Sequence, residues 1–302
     1  MKKELLLQWM AESQMLKKAN VRLNDAAIHV SEWFRKKGFR TCILKGQGNA
    51  LMYPNPYSRT PGDIDIWVEG GDKRVIYFVR SISPHEKACY HHIEFPSYKG
   101  VEVEVHYRPS FLLCFWHNRK LQKYYERVKE EQFSHRVMLA EQGEIAIPTV
   151  EFNIIFQLTH IYSHLMNEGI GLRQLLDYYY VISMLSVNCE MLTSLQKELK
   201  ELGLWKFAGG IMYIMQEVFG MPASQLIIPP NEKYGKFVLN EVLEAGNFGK
   251  HDERYWFGKS KLGHNLQRVY RDIRLVTYFP AEALCEPIFR TWHFFWRMKN
   301  KK

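Results

Sequence analysis

Two aspartates, Asp63 and Asp65, stand one residue apart in RTPGDIDIWVE, where a Thr-Pro-Gly turn gives way to an apolar run. Strand alternation points both carboxylates to one side, a few ångströms apart, where they repel unless water or a cation intervenes. Upstream lies a basic, glycine-bearing turn, LKGQG, with Lys45, Gly46 and Gly48. Downstream comes VEVEVHY, whose strict alternation turns Val101, Val103 and Val105 to a core and Glu102, Glu104 and His106 to the opposite face. Hard carboxylate oxygens hold Mg²⁺ or Mn²⁺, and two such ions roughly 3.5–4 Å apart need about three carboxylates on one face. The D-x-D pair and one glutamate from a neighbouring strand supply that number. Glycines after a first strand let backbone N–H groups approach a triphosphate. The assortment suits phosphoryl transfer from a nucleotide. Alternation alone does not separate Glu102 from Glu104.

Each of these residues also has a plainer reading. Lys45 can snorkel from a strand end, and Arg59 can tie its turn to a carboxylate. His106 reads as a histidine that orients a neighbour rather than as a ligand. His160 and His164 are four apart on one helix face, a separation zinc can use, but HIYSH lacks the glutamate of H-E-x-x-H. A helix packed over the active-site cleft explains them better. Arg173 and Asp177 are also four apart, as in an ordinary intrahelical salt bridge. HDE at 251 lacks helix-borne partners and reads as chance.

The elements that must position these groups follow from periodicity. Residues 4 to about 37 have helical spacing, with Leu5, Leu6, Trp9, Met10, Ala26, Ala27, Val30, Trp33 and Phe34 apolar, and Gly38 as the stop. FRTCILKG and DIDIWVE read as strands, and DKRVIYFVRSI as a helix with Asp72 as its N-cap. ACYHHIEF and VEVEVHY, joined through PSYKG, read as a hairpin. From about residue 146 the pattern turns helical, beginning with PTVEFNIIFQLTHIYSHL, GLRQLLDYYYVISML and NCEMLTSLQKELKEL. The expected architecture is an α+β domain followed by an all-helical one.

Bulk properties narrow the class. The 302 residues are 46% hydrophobic and 24% charged, enough for a sizeable core in two ordinary domains. A net charge of +9 favours polyanions such as nucleotides, RNA or anionic surfaces without choosing among them. Five scattered cysteines with no C-x-x-C pair read as reduced thiols. No stretch matches a signal peptide or the roughly 20 apolar residues of a membrane span, so a soluble, cytoplasmic protein is expected.

LKGQGNALMYPNPYSRTPGDIDIWV resembles the uncharacterised nucleotidyltransferase family of the polymerase-β-like nucleotidyltransferase superfamily. VEVHYRP is similar to that family's acid–hydrophobic–His–aromatic strand, and HIYSHLMNEGIGLRQLLDYYYVI to its histidine-bearing helix and the segment after it. EAGNFGKH is similar to a further recurring stretch, so the likeness covers most of the chain. The resemblance implies a nucleotidyltransferase domain over residues 1–147, a mixed sheet with flanking and N-terminal helices, and a helical domain over 148–302.

It further implies that Asp63, Asp65 and Glu104 are catalytic and ligate Mg²⁺ or Mn²⁺. The acid-x-His match favours Glu104 over Glu102, with His106 beside it. Lys45, Gly46, Gln47, Gly48, Arg59 and Arg173 would bind the nucleotide, with Asp177 orienting Arg173 or acting as a base. The superfamily's usual Gly-Ser pair, roughly a dozen residues before the aspartates, is absent. Here Lys45-Gly46-Gln47-Gly48 lies ahead of them, with Gly46 separated from Asp63 by 17 positions. Lys45, Gln47 or Arg59 is left to replace the serine hydroxyl.

The expected reaction is attack of an acceptor hydroxyl, or else a phosphate or amine, on the α-phosphorus of an NTP, ATP foremost, with release of pyrophosphate. A small-molecule acceptor is expected before a protein side chain or an RNA end. The other class is a catalytically weak nucleotide- or protein-binding regulator of antitoxin-like type. The intact D-x-D and glutamate argue against it, and the missing Gly-Ser argues for it.

Overall fold

A computed structural model describes residues 3–139, 143–186, 189–245 and 261–300. They divide into two compact units, one of residues 3–109, 127–139, 143–152 and 300, the other of residues 110–126, 153–186, 189–245 and 261–299.

The first unit is built on a four-stranded mixed sheet. The long helix α1 (Lys3–Lys36) opens it and buries Leu23, Ala26, Ala27, Val30 and Phe34 at helical spacing. Its first turns differ from expectation, since Leu5, Leu6, Trp9 and Met10 are exposed. The apolar stripe there runs past the part of the helix that is packed. Gly38, at φ +81°, ends the helix as expected, with Phe39 N–H donating to Phe34 O and Gly38 N–H to Arg35 O.

The strands are β1 (Thr41–Ile43), β2 (Ile64–Val68), β3 (His92–Tyr98) and β4 (Val101–His106), in the order β1-β2-β4-β3. β1 and β2 are antiparallel, β2 and β4 parallel, β4 and β3 antiparallel. A short helix α2 (Gln47–Ala50) follows β1, and α3 (Gly71–Ile82) follows β2. All five residues of β2 are buried, as a central strand requires. Ile64, Ile66, Val103, Val105 and Ile93 fill one face, and Phe34, Phe39, Phe78 and Phe95 cluster with Trp33. The other face carries Asp65 and Trp67 of β2, and Trp67 packs on Phe133 and Phe152.

The hairpin departs from its expected form. β3 begins at His92 and runs through Pro96, Ser97 and Tyr98, which the sequence assigns to a loop. Proline is tolerated there because β3 is an edge strand with a bulge between Phe95 and Tyr98. The turn shrinks to Lys99 and Gly100, both at positive φ, as in two-residue hairpin loops. The cap of α3 also differs. Gly70 precedes the helix, and the Asp72 carboxylate sits inside the first turn, accepting from Lys73 N–H and pairing with Arg108 at 2.9 Å.

Periodicity did not reveal the helix α4 (Phe115–Ser134) or the small antiparallel pair β5 (Arg136–Leu139) and β6 (Gly143–Ala146). α4 is highly charged, and β5 and β6 have four residues each, too short for a period to register.

The second unit is helical: α5 (Val150–Asn167), α6 (Leu172–Ser183), α7 (Cys189–Glu201), α8 (Trp205–Glu217), α9 (Glu232–Ala245), α10 (Lys261–Val276) and α11 (Pro280–Lys299). α8 and α9 approach closely because of glycine. A Cβ at Gly210 would lie 2.9 Å from the Tyr234 backbone, and one at Gly235 would lie 2.3 Å from the Tyr213 ring. Buried Glu282 accepts from Leu113 and Cys114 N–H, placing a carboxylate at the start of α4. HDE and most of EAGNFGKH lie outside the described residues. No described helix is long and apolar enough to cross a membrane, and the five cysteines are free thiols.

One buried carboxylate gives the helical unit a pH-dependent stability. Burial, and then the charge of Glu286, push Asp272 on α10 up from 3.8 to about 7. The folded state therefore keeps a proton that the unfolded chain releases near pH 4. This contribution is complete below that pH and declines as pH rises toward 7. Thermal melts between those limits should fall with pH more steeply for the wild type than for Asp272→Asn.

Candidate active site

The two central strands assemble the acidic face. Asp65 lies directly across from Glu104 in the parallel β2–β4 register, and Trp67 lies across from His106. Asp63 immediately precedes β2. Donor oxygens of Asp63, Asp65 and Glu104 all lie within 4.8 Å of one another. Glu102 shares the face, as alternation predicts, but stands two residues back along β4 and is exposed. The register therefore separates the two glutamates, and Glu104 is the one that meets the aspartates.

Lys45 reaches this cluster because β1 is antiparallel to β2. Leu44 N–H donates to Asp65 O at 2.9 Å, so the next residue emerges beside the aspartates. Its ammonium lies 3.0 Å from Asp65 Oδ2. Gly46 turns the chain at φ +63°, a conformation suited to glycine, where a Cβ would lie 3.6 Å from Asp63 O. Gly48 packs on Ile147, where a Cβ would come within 3.1 Å of the side chain.

His106 is the second positive partner. It is 2% exposed, with Nε2 3.0 Å from Asp65 Oδ1 and 3.4 Å from Glu104 Oε2. His92, directly opposite His106 across the hairpin, places Nδ1 3.2 Å from the same Glu104 oxygen.

The protonation equilibria record this crowding. The charge of Asp65, and then burial, push Asp63 above the usual carboxylate range. Burial opposes charge on Lys45, yet Asp65 and Asp63 together hold its pKa above the ordinary lysine value. Burial likewise opposes the His106 imidazolium, but hydrogen bonds to Asp65 and Glu104 raise it to about 9. Glu104 is also penalised by burial, and its hydrogen bond with His106 brings it below the normal glutamate value. Burial, and then the positive charge of His106, lower His92 to about 4. At neutral pH the cluster holds one ammonium and one imidazolium among its carboxylates.

The remaining sequence-selected residues are placed as follows. Gln47 is buried with its side chain turned toward α1, where Nε2 donates to Asn24 Oδ1 and Asn20 O. Arg59 is 6% exposed; its NH1 group donates to Thr60 O, and its carbonyl accepts from Asn20. Arg173 and buried Asp177 lie on α6, in the helical unit. His160 and His164 approach to 3.1 Å, and no third donor joins them in a ligand cluster among the described residues.

Sequence reasoning missed His92. Counting back from the Lys99-Gly100 turn in regular register would put Ile93, not His92, opposite His106. One extra residue in β3 between Phe95 and Tyr98 reverses this. The adjacent histidines in ACYHHIEF were the available signal, but their facing depends on the bulge.

Lys45 supplies a direct test of the electrostatics. Lys45→Met leaves Asp65 with one positive partner and should destabilise the chelator-treated protein by on the order of 3 kcal/mol. Added Mg²⁺ should then raise the melting temperature of the variant more than that of the wild type. Equal Mg²⁺ shifts in the two proteins would show that the ammonium and the ion do not compete.

The family model described as uncharacterised nucleotidyltransferase matches residues 1–220, a span that includes Lys45, both aspartates and Glu104. No curated protein matches. Among solved structures, the chain is similar to an antigenic nucleotidyltransferase-like protein from Paracoccidioides brasiliensis. That likeness has 14% identity and a TM-score of 0.39, over 70% of this chain and 95% of the other. Well over half of the chain fits the family, and the mixed sheet with flanking helices and a mostly helical C-terminal region agrees with it. The chain belongs to the uncharacterised nucleotidyltransferase family and is a nucleotidyltransferase.

Proposed function

We propose that the chain transfers an NMP group from an NTP, ATP foremost, to an acceptor hydroxyl in a Mg²⁺- or Mn²⁺-dependent reaction that releases pyrophosphate. The observation that carries this reading is the convergence of Asp63, Asp65 and Glu104 donor oxygens within 4.8 Å. Three hard oxygen donors on one face fit a divalent ion. When bound, such ions neutralise phosphate charge and acidify the attacking hydroxyl.

The chain's own groups have separate tasks. Asp63 and Asp65 hold the nucleotide side of the site, and Glu104, with Asp65 opposite it, holds the acceptor side and accepts the hydroxyl proton. Lys45, 3.0 Å from Asp65, would serve the phosphates, and Asp65 would help hold a divalent ion. The Gly46-Gln47-Gly48 turn presents backbone to the triphosphate. Arg59 is the further proposed phosphate cation. His106 keeps Asp65 and Glu104 aimed together. A small molecule is the preferred acceptor, ahead of a protein side chain or an RNA end.

A thermal shift with Mg²⁺ and each NTP tests binding, and pyrophosphate release with a metabolite pool tests transfer. Asp63→Ala/Asp65→Ala should abolish the Mg²⁺-dependent shift and lower pyrophosphate release by roughly a thousandfold, about 4 kcal/mol of barrier. Nucleotide binding that survives the double substitution would remove the metal reading. An intact Mg²⁺-dependent shift without release for any acceptor class would instead favour the regulator.

A further inference from the structure

Beside the three carboxylates runs a second series of donors with different chemistry. His92 Nδ1 lies 3.2 Å from Glu104 Oε2, and His106 Nε2 lies 3.4 Å from the same oxygen. One donor atom from each of these three residues fits within a 4.8 Å cluster. Zinc binds imidazole nitrogen and carboxylate oxygen at about 2.0–2.2 Å, so neighbouring donors on a tetrahedron stand about 3.3–3.6 Å apart. These two separations are close to that edge length. His91 Nε2 lies 3.1 Å from His92 Nδ1, and Cys89 Sγ lies 3.4 Å from His91 Nδ1, extending the run of soft donors away from the carboxylates.

The two ends of this series select different ions. Mg²⁺ demands oxygen ligands in an octahedron, which Asp63, Asp65 and Glu104 supply. Imidazole favours Zn²⁺, Ni²⁺ and Cu²⁺ over Mg²⁺. Glu104 belongs to both sets.

We propose that His92, Glu104 and His106 form a transition-metal site of zinc type, completed by water, adjoining the acidic cluster. An ion there engages Glu104 and draws His106 away from Asp65, so its occupation inhibits nucleotidyl transfer. The binding claim stands on the histidine geometry alone; the inhibitory claim rests on the function proposed above.

Co²⁺ titration of the chelator-treated full chain reads the site without any activity, because tetrahedral cobalt absorbs far more strongly in the visible than octahedral cobalt. The expected result is one tetrahedral Co²⁺ per chain, displaced by Zn²⁺ and not by a hundredfold excess of Mg²⁺. His92→Gln and, separately, His92→Ala should weaken Zn²⁺ binding by at least about tenfold, whereas Asp63→Asn should leave it intact. A melt of each variant confirms that it is folded. An octahedral spectrum, or equal binding by wild type and both folded His92 variants, would overturn the site. Loss in Asp63→Asn equal to that in His92→Gln would also overturn it by placing the ion among the carboxylates. For regulation, Zn²⁺ should suppress Mg²⁺-dependent pyrophosphate release in the wild type and spare the residual activity of His92→Gln. Equal suppression of both would overturn the inhibitory role. Failure of the Mg²⁺-NTP reading would leave the cobalt result unaffected, so the two claims fail separately.

Discussion

Negative charge concentrated in a small, half-buried volume is the constraint on which this site is built. Asp63, Asp65 and Glu104 converge where solvent screens them poorly, and each raises the cost of ionising the others. The fold compensates from two directions. Lys45 comes from the end of β1, and His106 comes from two residues beyond Glu104 on β4. Both partners contact Asp65, the most buried of the three carboxylates. Two protein cations thus meet the carboxylates directly, both at Asp65.

The opposite face of the same sheet secures this arrangement. Ile64 and Ile66 alternate with Asp65, and Val103 and Val105 alternate with Glu104, so register is set by apolar burial beneath α1 and α3. A slip of one residue would bring the carboxylates into the core and the aliphatic side chains out. Packing on one side therefore fixes which charges meet on the other. Trp67, two residues beyond Asp65 on the acidic face, adds a second anchor through Phe133 and Phe152.

Much of this was legible in the residues themselves. Alternation in DIDIWVE and VEVEVHY identified the shared face, and the long periodic segments marked α1, α3, α5 and α6. Three things were hidden for physical reasons. Alternation left Glu102 and Glu104 equivalent and only the family likeness favoured Glu104, because the parallel pairing of β2 with β4 is a nonlocal register that no single strand encodes. His92 was hidden by an inserted residue that reverses the facing of the strand beyond it. Gln47 looked like a phosphate ligand in its glycine turn, but its side chain found buried amide partners on α1 instead.

The same irregularity has a consequence for the chain's behaviour in concentrated solution. β3 is one of the two edge strands of the sheet, and an edge strand offers its unpaired backbone groups to any passing β-segment. Pro96 lacks an N–H to offer, and the bulge beside it breaks the even spacing that a foreign strand would need to match. The device that turns a histidine toward the carboxylates also blunts the open border of the sheet, making it a poor template for self-association.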